Sequence, residues 1–307
     1  MNKFTMLVGV AGCGKSTYAK RLEEMGAIVV STDAIRGELW GDENDQREPQ
    51  KVFQEAHRRI KYLLESGYWV VFDATNLSAR RREGFLKQIK HIDCHKECAV
   101  IITPPIVIKE RMQERERKVP NEVVEKQIRS FQCPLYYEGW DDIYILHDNS
   151  CQYEKIDKYE NYCHMVKNDN HNHSTKTIGE HMDAALVYFG VNYTCRRDLD
   201  VPLIAEAVRY HDIGKPFTKV YTNAKGEPTK EAHYYGHQNY SAYIYLMTHP
   251  DIYIDEELQY RHLVIANLIQ FHMEHFFRTP ESLEKFYKKT GLGAELKVIH
   301  KCDMAAH

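Results

Sequence analysis

The sequence predicts two domains, an α/β unit with a parallel sheet over residues 1–150 and an all-α unit over residues 151–307. Three observations predict this division. A chain of 307 residues is long for a single core and fits two units of ordinary size. The first half alternates short β-rich runs with polar stretches of helical length, the pattern of strand–helix–strand crossovers. Histidine is unevenly shared, four before residue 151 and thirteen after it, so the two halves carry different chemistry.

The β-rich runs are FTMLVGV at 4–10, AIVVS at 27–31, YWVVFDA at 68–74 and CAVIITPP at 98–105, with helical stretches at 15–25, 50–66 and 79–90. The polar, uneven stretch 148–170 reads as the junction. Beyond it, 200–212 reads as a helix: Asp200 can cap, Pro202 suits a first turn, and Leu203, Ile204, Ala207, Val208 and His211 share a face before Gly214 and Pro216 stop it. No strand run of comparable quality follows, hence the all-α expectation.

Hydrophobic residues at 43% and charged residues at 28% are ordinary for a folded globular chain and argue against disorder. The longest apolar run, AVIITPPIVI at 99–108, holds two prolines and falls short of the roughly 20 residues of a membrane helix. The N-terminal apolar run leads into a glycine loop without a cleavage-site pattern, and the eight cysteines form no framework, so the expectation is a cytoplasmic protein with reduced thiols. A net charge of −3 disfavours a wholly basic nucleic-acid coat. Residues 76–130 nevertheless hold 13 Lys+Arg against 8 Asp+Glu, which suits either a solvated helical surface or a local groove.

GVAGCGKS, Gly9–Ser16, fits G-x-x-x-x-G-K-[ST] between an apolar strand and a helix. Glycines let consecutive N–H groups turn toward phosphate oxygens, and the following helix adds its positive end. Gly9, Gly12, Cys13, Gly14, Lys15, Ser16 and Thr17 are therefore candidate ligands of ATP or another nucleoside triphosphate, with Lys15 on the β and γ phosphates and the Ser16 hydroxyl on Mg²⁺. After the second strand, Asp33 and Arg36 stand three residues apart, a spacing that puts a carboxylate and a guanidinium on one helical face. Together they can take a proton from a hydroxyl and clamp a neighbouring phosphate. An ordinary surface pair has the same spacing. Asp73 ends the third apolar strand, where it can reach the metal's water shell or the acceptor. Arg111, Arg115 and Lys118 lie on a charged stretch with the composition of a lid over triphosphate.

Residues 1 to about 146 resemble the phage-type polynucleotide 5′-kinase group of P-loop kinases, through the loop at 9–16, Asp33-x-x-Arg36, ATNLSARRR at 74–82, Arg111-x-x-x-Arg115 and Val119-Pro120. The resemblance implies that Asp33 is the general base on a 5′-hydroxyl, that Arg36 binds the phosphate of the acceptor strand and that Arg115 stabilises the transferring phosphoryl group. Asp73, Asn76 and Arg80 are the further substrate-side candidates. The group's aspartate directly before Thr-Asn is replaced here by Ala74, with Asp73 one place earlier.

In the second half, RYHDIGKP at 209–216 sets His211 beside Asp212, and His181, His237, His272, His275 and Asp303 stand in other helix-like stretches. A His-Asp pair is cheap, and a second occurs at His147-Asp148. The order His…His-Asp…Asp, with HDIGKP and YYGHQNYSA around it, resembles the HD superfamily of metal-dependent phosphohydrolases over residues of about 165–307. That resemblance implies a first divalent transition metal, Mn²⁺ or similar, on His181, His211, Asp212 and Asp303, and a second completed by His237 and His272. Lys215 is close enough in sequence to meet the phosphate. Asp303 lies where a terminal helix is expected to fray. HIDCHKEC at 91–98 crowds two His and two Cys into eight positions and does not split into the ligand pairs of a zinc site.

Together these readings describe a bifunctional enzyme that heals nucleic-acid ends, a kinase for the 5′-hydroxyl and a phosphohydrolase for the 2′,3′-cyclic or 3′-phosphate. RNA or DNA ends are its expected partners, and a ligase in another protein would seal them. Two alternatives stay open: a nucleoside or nucleotide kinase joined to an HD nucleotidase, and a non-catalytic, ATP-dependent sensor of nucleic-acid ends.

Overall fold

The computed structural model describes residues 2–114, 119–148, 153–169, 175–250 and 256–307. The chain forms two compact units, the first from Met1–Val124 and Pro134–Cys151, the second from Glu125–Cys133 and Gln152–His307. The expected boundary near residue 150 thus needs one amendment, since residues 125–133 belong to the second unit. Side-chain packing explains this: Phe131 is buried edge-on against Tyr243, with ring centroids 5.4 Å apart, and the Cys133 N–H donates to Gln270 Oε1 at 2.7 Å.

The first unit runs β1 (Lys3–Val8), α1 (Lys15–Glu24), β2 (Ile28–Ser31), α2 (Thr32–Trp40), α3 (Pro49–Glu65), β3 (Trp69–Asp73), α4 (Ala79–Gln88), β4 (His95–Ile102), α5 (Pro105–Glu114) and, after α6 (Asn121–Arg129), which passes into the second unit at Glu125, β5 (Asp142–His147). All strands pair in parallel, in the order β2-β3-β1-β4-β5. Central strands β1, β3 and β4 are buried on both faces, which is why they read as continuous apolar runs. Helix α3 buries Val52, Ala56, Ile60 and Leu64 along one four-residue stripe. The order of strands places the C-terminal ends of β2, β3 and β1 side by side, and that edge is where open α/β sheets bind ligands.

The second unit continues with α7 (Ile156–Met165), α8 (Ile178–Tyr193), α9 (Val201–Tyr210), α10 (Lys215–Thr218), β6 (Lys219–Thr222), β7 (Pro228–Tyr234), α11 (His237–Met247), α12 (Glu256–Phe271), α13 (Glu274–Phe277), α14 (Pro280–Thr290) and α15 (Gly293–Ala305). Asp200 caps α9 through Leu203 N at 3.1 Å, as its spacing predicts. Helices α11 and α12 are buried almost all round and form the centre of the unit. The all-α expectation is corrected by the antiparallel pair β6–β7. Its strands are mostly half-buried and so carry no apolar run. The turn is held by Asn223 Oδ1, which accepts from the N–H groups of Lys225 at 2.9 Å and Glu227 at 3.0 Å. Among the described residues no helix is long and apolar enough to cross a membrane.

Candidate functional sites

In the first unit the loop after β1 turns into α1 at Gly14, whose φ of 102° is open to glycine and strained for other residues. The buried ammonium of Lys15 donates to Val10 O at 2.8 Å, and Thr103 Oγ1 donates to Cys13 O at 2.9 Å, so the loop is closed on itself and braced from β4. Burial raises the pKa of the Cys13 thiol, against the opposing charge of Lys15. Beside the loop a cavity of about 560 Å³ is lined by Gly12, Gly14, Thr17, Tyr18, Arg111 and Asp148, among others, a size suited to a small ligand. Arg111 forms an ion pair with Asp148 at this cavity. The second His-Asp pair of the sequence therefore contributes its aspartate here, a role that its spacing does not reveal.

The neighbouring strand ends supply the acidic residues. Asp73 and Ser31 are register partners at the ends of β3 and β2. Burial raises the Asp73 pKa above the ordinary carboxylate value, opposed by the Lys15 charge and a hydrogen bond from Ser16. Ser31 Oγ accepts from Asp33 N at 3.2 Å and caps α2, which carries Asp33 and Arg36 one turn apart as an ion pair. Arg36 is buried while Asp33 stays accessible, and Arg36 Nε is a buried donor without a hydrogen-bond partner.

The arginine-rich motif divides. Arg80 is exposed at the start of α4, whereas Arg82 is buried and bidentate to Glu138. Asn76 adopts a left-handed conformation, φ 47°, and its Nδ2 donates to Leu7 O at 2.8 Å, tying the loop after β3 to β1. Its amide is thus engaged in shaping the strand ends. Arg115 and Lys118 lie outside the described residues.

In the second unit His181 comes from α8, His211 and Asp212 follow α9, His237 opens α11, His272 follows α12 and Asp303 sits on α15. All six are buried. His181 Nε2 is 3.0 Å from Asp303 Oδ1, 3.3 Å from Asp212 Oδ2 and 3.3 Å from His211 Nε2. The other oxygen, Asp212 Oδ1, is 3.2 Å from His237 Nε2 and 3.6 Å from His272 Nε2, and these two nitrogens are 3.3 Å apart. Two ligand groups thus share Asp212: His181, His211, Asp212 and Asp303 in one, Asp212, His237 and His272 in the other. Asp303 is held in the helix and buried, contrary to the fraying expected of it. Lys215 Nζ is 2.6 Å from Asp212 Oδ2. His275 joins neither group and stacks on His300 instead, with ring centroids 4.0 Å apart.

The donor set fits divalent cations. Nδ1 of His211, His237 and His272 each meets a backbone carbonyl oxygen at 2.7 Å (Val208, Tyr234 and Ile269). An Nδ1–H bonded to a carbonyl leaves Nε2 as the lone-pair nitrogen, the usual arrangement of a ligating histidine. Pairs of such nitrogens facing each other at 3.3 Å call for a positive charge between them. Asp212 Oδ2 lies against the Lys215 ammonium, whereas buried Oδ1 takes no hydrogen bond of acceptable geometry, which again suits a cation partner at Oδ1. Without an ion, a proton serves: burial alone would depress His211, but Asp212 and Asp303 override it and push the imidazole up to about 10. Burial and the His211 charge push His272 down to about 3. Burial works to raise the Asp212 carboxyl, yet Lys215 and His211 hold it well below the ordinary range.

The crowded 91–98 stretch does not gather its cysteines around its histidines. Alternation along β4 puts His95 and Glu97 on one face, and the β4–β5 register sets Asp142 opposite Glu97, so these three form the group, with His95 Nε2 2.6 Å from Asp142 Oδ2.

Residues 4–134 match the family described as AAA domain. The L-seryl-tRNA(Sec) kinase of Methanococcus maripaludis is 28% identical over 163 residues, 50% of this chain and 61% of that protein, so the similarity spans less than two thirds of the relative's length. Among solved structures, the Pnkp1/Rnl/Hen1 RNA repair complex aligns at 23% identity and a TM-score of 0.36, covering 42% of this chain and 43% of that one. The Mycobacterium tuberculosis APS kinase aligns at 20% and 0.34, covering 51% and 92%. With its parallel sheet and its phosphate loop between β1 and α1, the first unit is a P-loop kinase-like α/β domain.

Proposed function

We propose that the chain is a bifunctional nucleic-acid end-healing enzyme, an ATP-dependent 5′-hydroxyl polynucleotide kinase joined to a metal-dependent 2′,3′-cyclic phosphate or 3′-phosphate phosphohydrolase. The observation that carries this reading is the presence in one chain of a phosphate loop beside the Asp33–Arg36 pair and of a buried centre in which two histidine groups share Asp212. These are the two activities needed to convert a 5′-hydroxyl and a blocked 3′ end into ends that a separate ligase can seal.

At the kinase site Lys15 neutralises the β and γ phosphates of ATP, Ser16 and Asp73 hold Mg²⁺, and Arg111 and Arg115 close on the triphosphate. The accessible carboxylate of Asp33 takes the proton of the acceptor hydroxyl, while Arg36 binds the acceptor's phosphate. At the hydrolase site His181, His211, Asp212 and Asp303 would hold one divalent transition metal, and Asp212, His237 and His272 a second. When bound, such ions polarise a phosphoryl oxygen and acidify water. Lys215 draws the phosphate toward Asp212. The name of the Methanococcus relative specifies an acceptor carried on RNA, which favours an RNA-borne hydroxyl here.

A nucleoside kinase joined to a nucleotidase is the competing reading, favoured by the net charge of −3. Acceptor length separates the two. Transfer from labelled ATP is expected to be far more efficient to a 5′-hydroxyl oligoribonucleotide than to the corresponding nucleoside, and equal efficiency would move the protein to nucleotide metabolism.

A further inference from the structure

The shared-aspartate centre opens into a cavity of about 380 Å³ whose floor includes Asp212, Lys215, His237, His272 and Asp303. Its mouth is aromatic. His233 and Tyr235 stack with ring centroids 5.4 Å apart and planes 5° from parallel, and Phe276 and Phe277 lie among the other lining residues. Tyr235, Phe276 and Phe277 are 44%, 47% and 65% exposed, so each keeps ring surface open to solvent, although Phe276 also meets His300 edge-on at 5.3 Å. Their placement follows from the chain: Tyr235 stands two residues before His237, and Phe276 four residues after His272. The rings therefore flank the Asp212–His237–His272 group, whose two imidazoles touch at 3.3 Å.

We propose that this rim is a base-stacking platform, so that the hydrolase substrate is a phosphate borne on a nucleoside rather than a base-less phosphoester. The inference rests on the phosphohydrolase reading and adds the surface that recognises the base of its substrate. A floor that sets Lys215 beside the two ligand groups suits a phosphate, and flat, exposed rings at the mouth suit the other end of the same molecule, a planar heterocycle. Every base offers a π face, so the platform tolerates any base at the terminal nucleotide and favours a single-stranded end. A peptide or lipid phosphate would satisfy the floor but leave the rings wet.

The test compares cytidine 3′-monophosphate with glycerol 2-phosphate on the full chain and on its Tyr235→Ala and Phe277→Ala variants. Two readouts are taken, kcat/KM for each substrate and the calorimetric Kd of each, all in a Lys15→Ala background so that the phosphate loop does not contribute. The expected result is a preference for the nucleotide of about tenfold or more, with the ratio between the two substrates collapsing and the nucleotide Kd rising by a similar factor when either ring is removed, and with Phe277→Trp retaining the preference. Equal handling of the two substrates by the unsubstituted rim, or an equal loss for both in the variants, would overturn the stacking platform while leaving the hydrolase reading intact. Hydrolysis of neither substrate would remove the hydrolase reading, and the platform with it.

Discussion

The guanidinium of Arg82 meets both carboxylate oxygens of Glu138, Nε to Oε2 at 2.8 Å and Nη2 to Oε1 at 2.6 Å, with both side chains sealed from solvent. Its Nη1 donates to the carbonyl oxygens of Asn76 and Leu77, at 2.9 and 3.0 Å, in the loop that follows β3. The third arginine of the ARRR run is therefore a brace for that loop. Removing one partner strands a buried charge, so Arg82→Ala or Glu138→Ala should cost about 3–5 kcal/mol, whereas Arg82→Met with Glu138→Leu should recover most of it. Chemical denaturation of the four species measures this, and additive losses in the double variant would contradict it.

Gly214 tests how tightly the His211–Asp212 turn is pressed on α11. A methyl group there would come within 2.5 Å of Ser241 N and 2.7 Å of His237 O, both backbone atoms that cannot swing aside. Gly214→Ala is expected to lower stability by about 1–3 kcal/mol and to displace His237, seen as a lower Tm and weaker metal retention. A variant with unaltered Tm would show that the turn has slack.

Metal content distinguishes the two ligand groups. After loading with Mn²⁺ and desalting, Asp212→Asn should deplete both groups, Asp303→Asn mainly the first and His237→Ala mainly the second, as read by elemental analysis. Phosphoryl transfer from ATP should persist in all three. Identical depletion by all three substitutions would mean one site rather than two.

Acid sensitivity of the first unit should involve His57, which packs at a tilt of 33° on Phe85 with centroids 4.3 Å apart and lies edge-on to Phe72. Burial, aided by Lys61, lowers its pKa from 6.5 to about 4. The unfolded chain then binds the extra proton across that interval, so the His57 contribution is full above pH 6.5 and is lost as pH falls toward 4. Thermal melts should show a shallower loss between pH 6.5 and 4 in His57→Phe than in the parent, and parallel curves would exclude the residue.

What the sequence discloses is what lies within one turn or one strand end. The loop Gly9–Ser16, the Asp33–Arg36 spacing and the His211–Asp212 pair are local, and each stands where its spacing predicts. Grouping is another matter. His181 and Asp303 are 122 residues apart, and only the resemblance linked them before the helices brought them to 3.0 Å. Strand β5 alternates buried and exposed residues because it closes the sheet edge, so it carries no apolar run. The His95–Glu97–Asp142 group depends on strand register, and the aromatic mouth on rings from two separate segments. No local pattern encodes either.

The most direct measurement incubates the protein with labelled ATP, Mg²⁺ and Mn²⁺, and a short RNA bearing a 5′-hydroxyl and a 2′,3′-cyclic phosphate, and resolves both ends of the product. Gain of a 5′-phosphate together with loss of the cyclic phosphate is the predicted result, the first abolished by Lys15→Ala and the second by Asp212→Asn. An RNA left untouched at both ends, beside efficient turnover of mononucleotides, would contradict end healing.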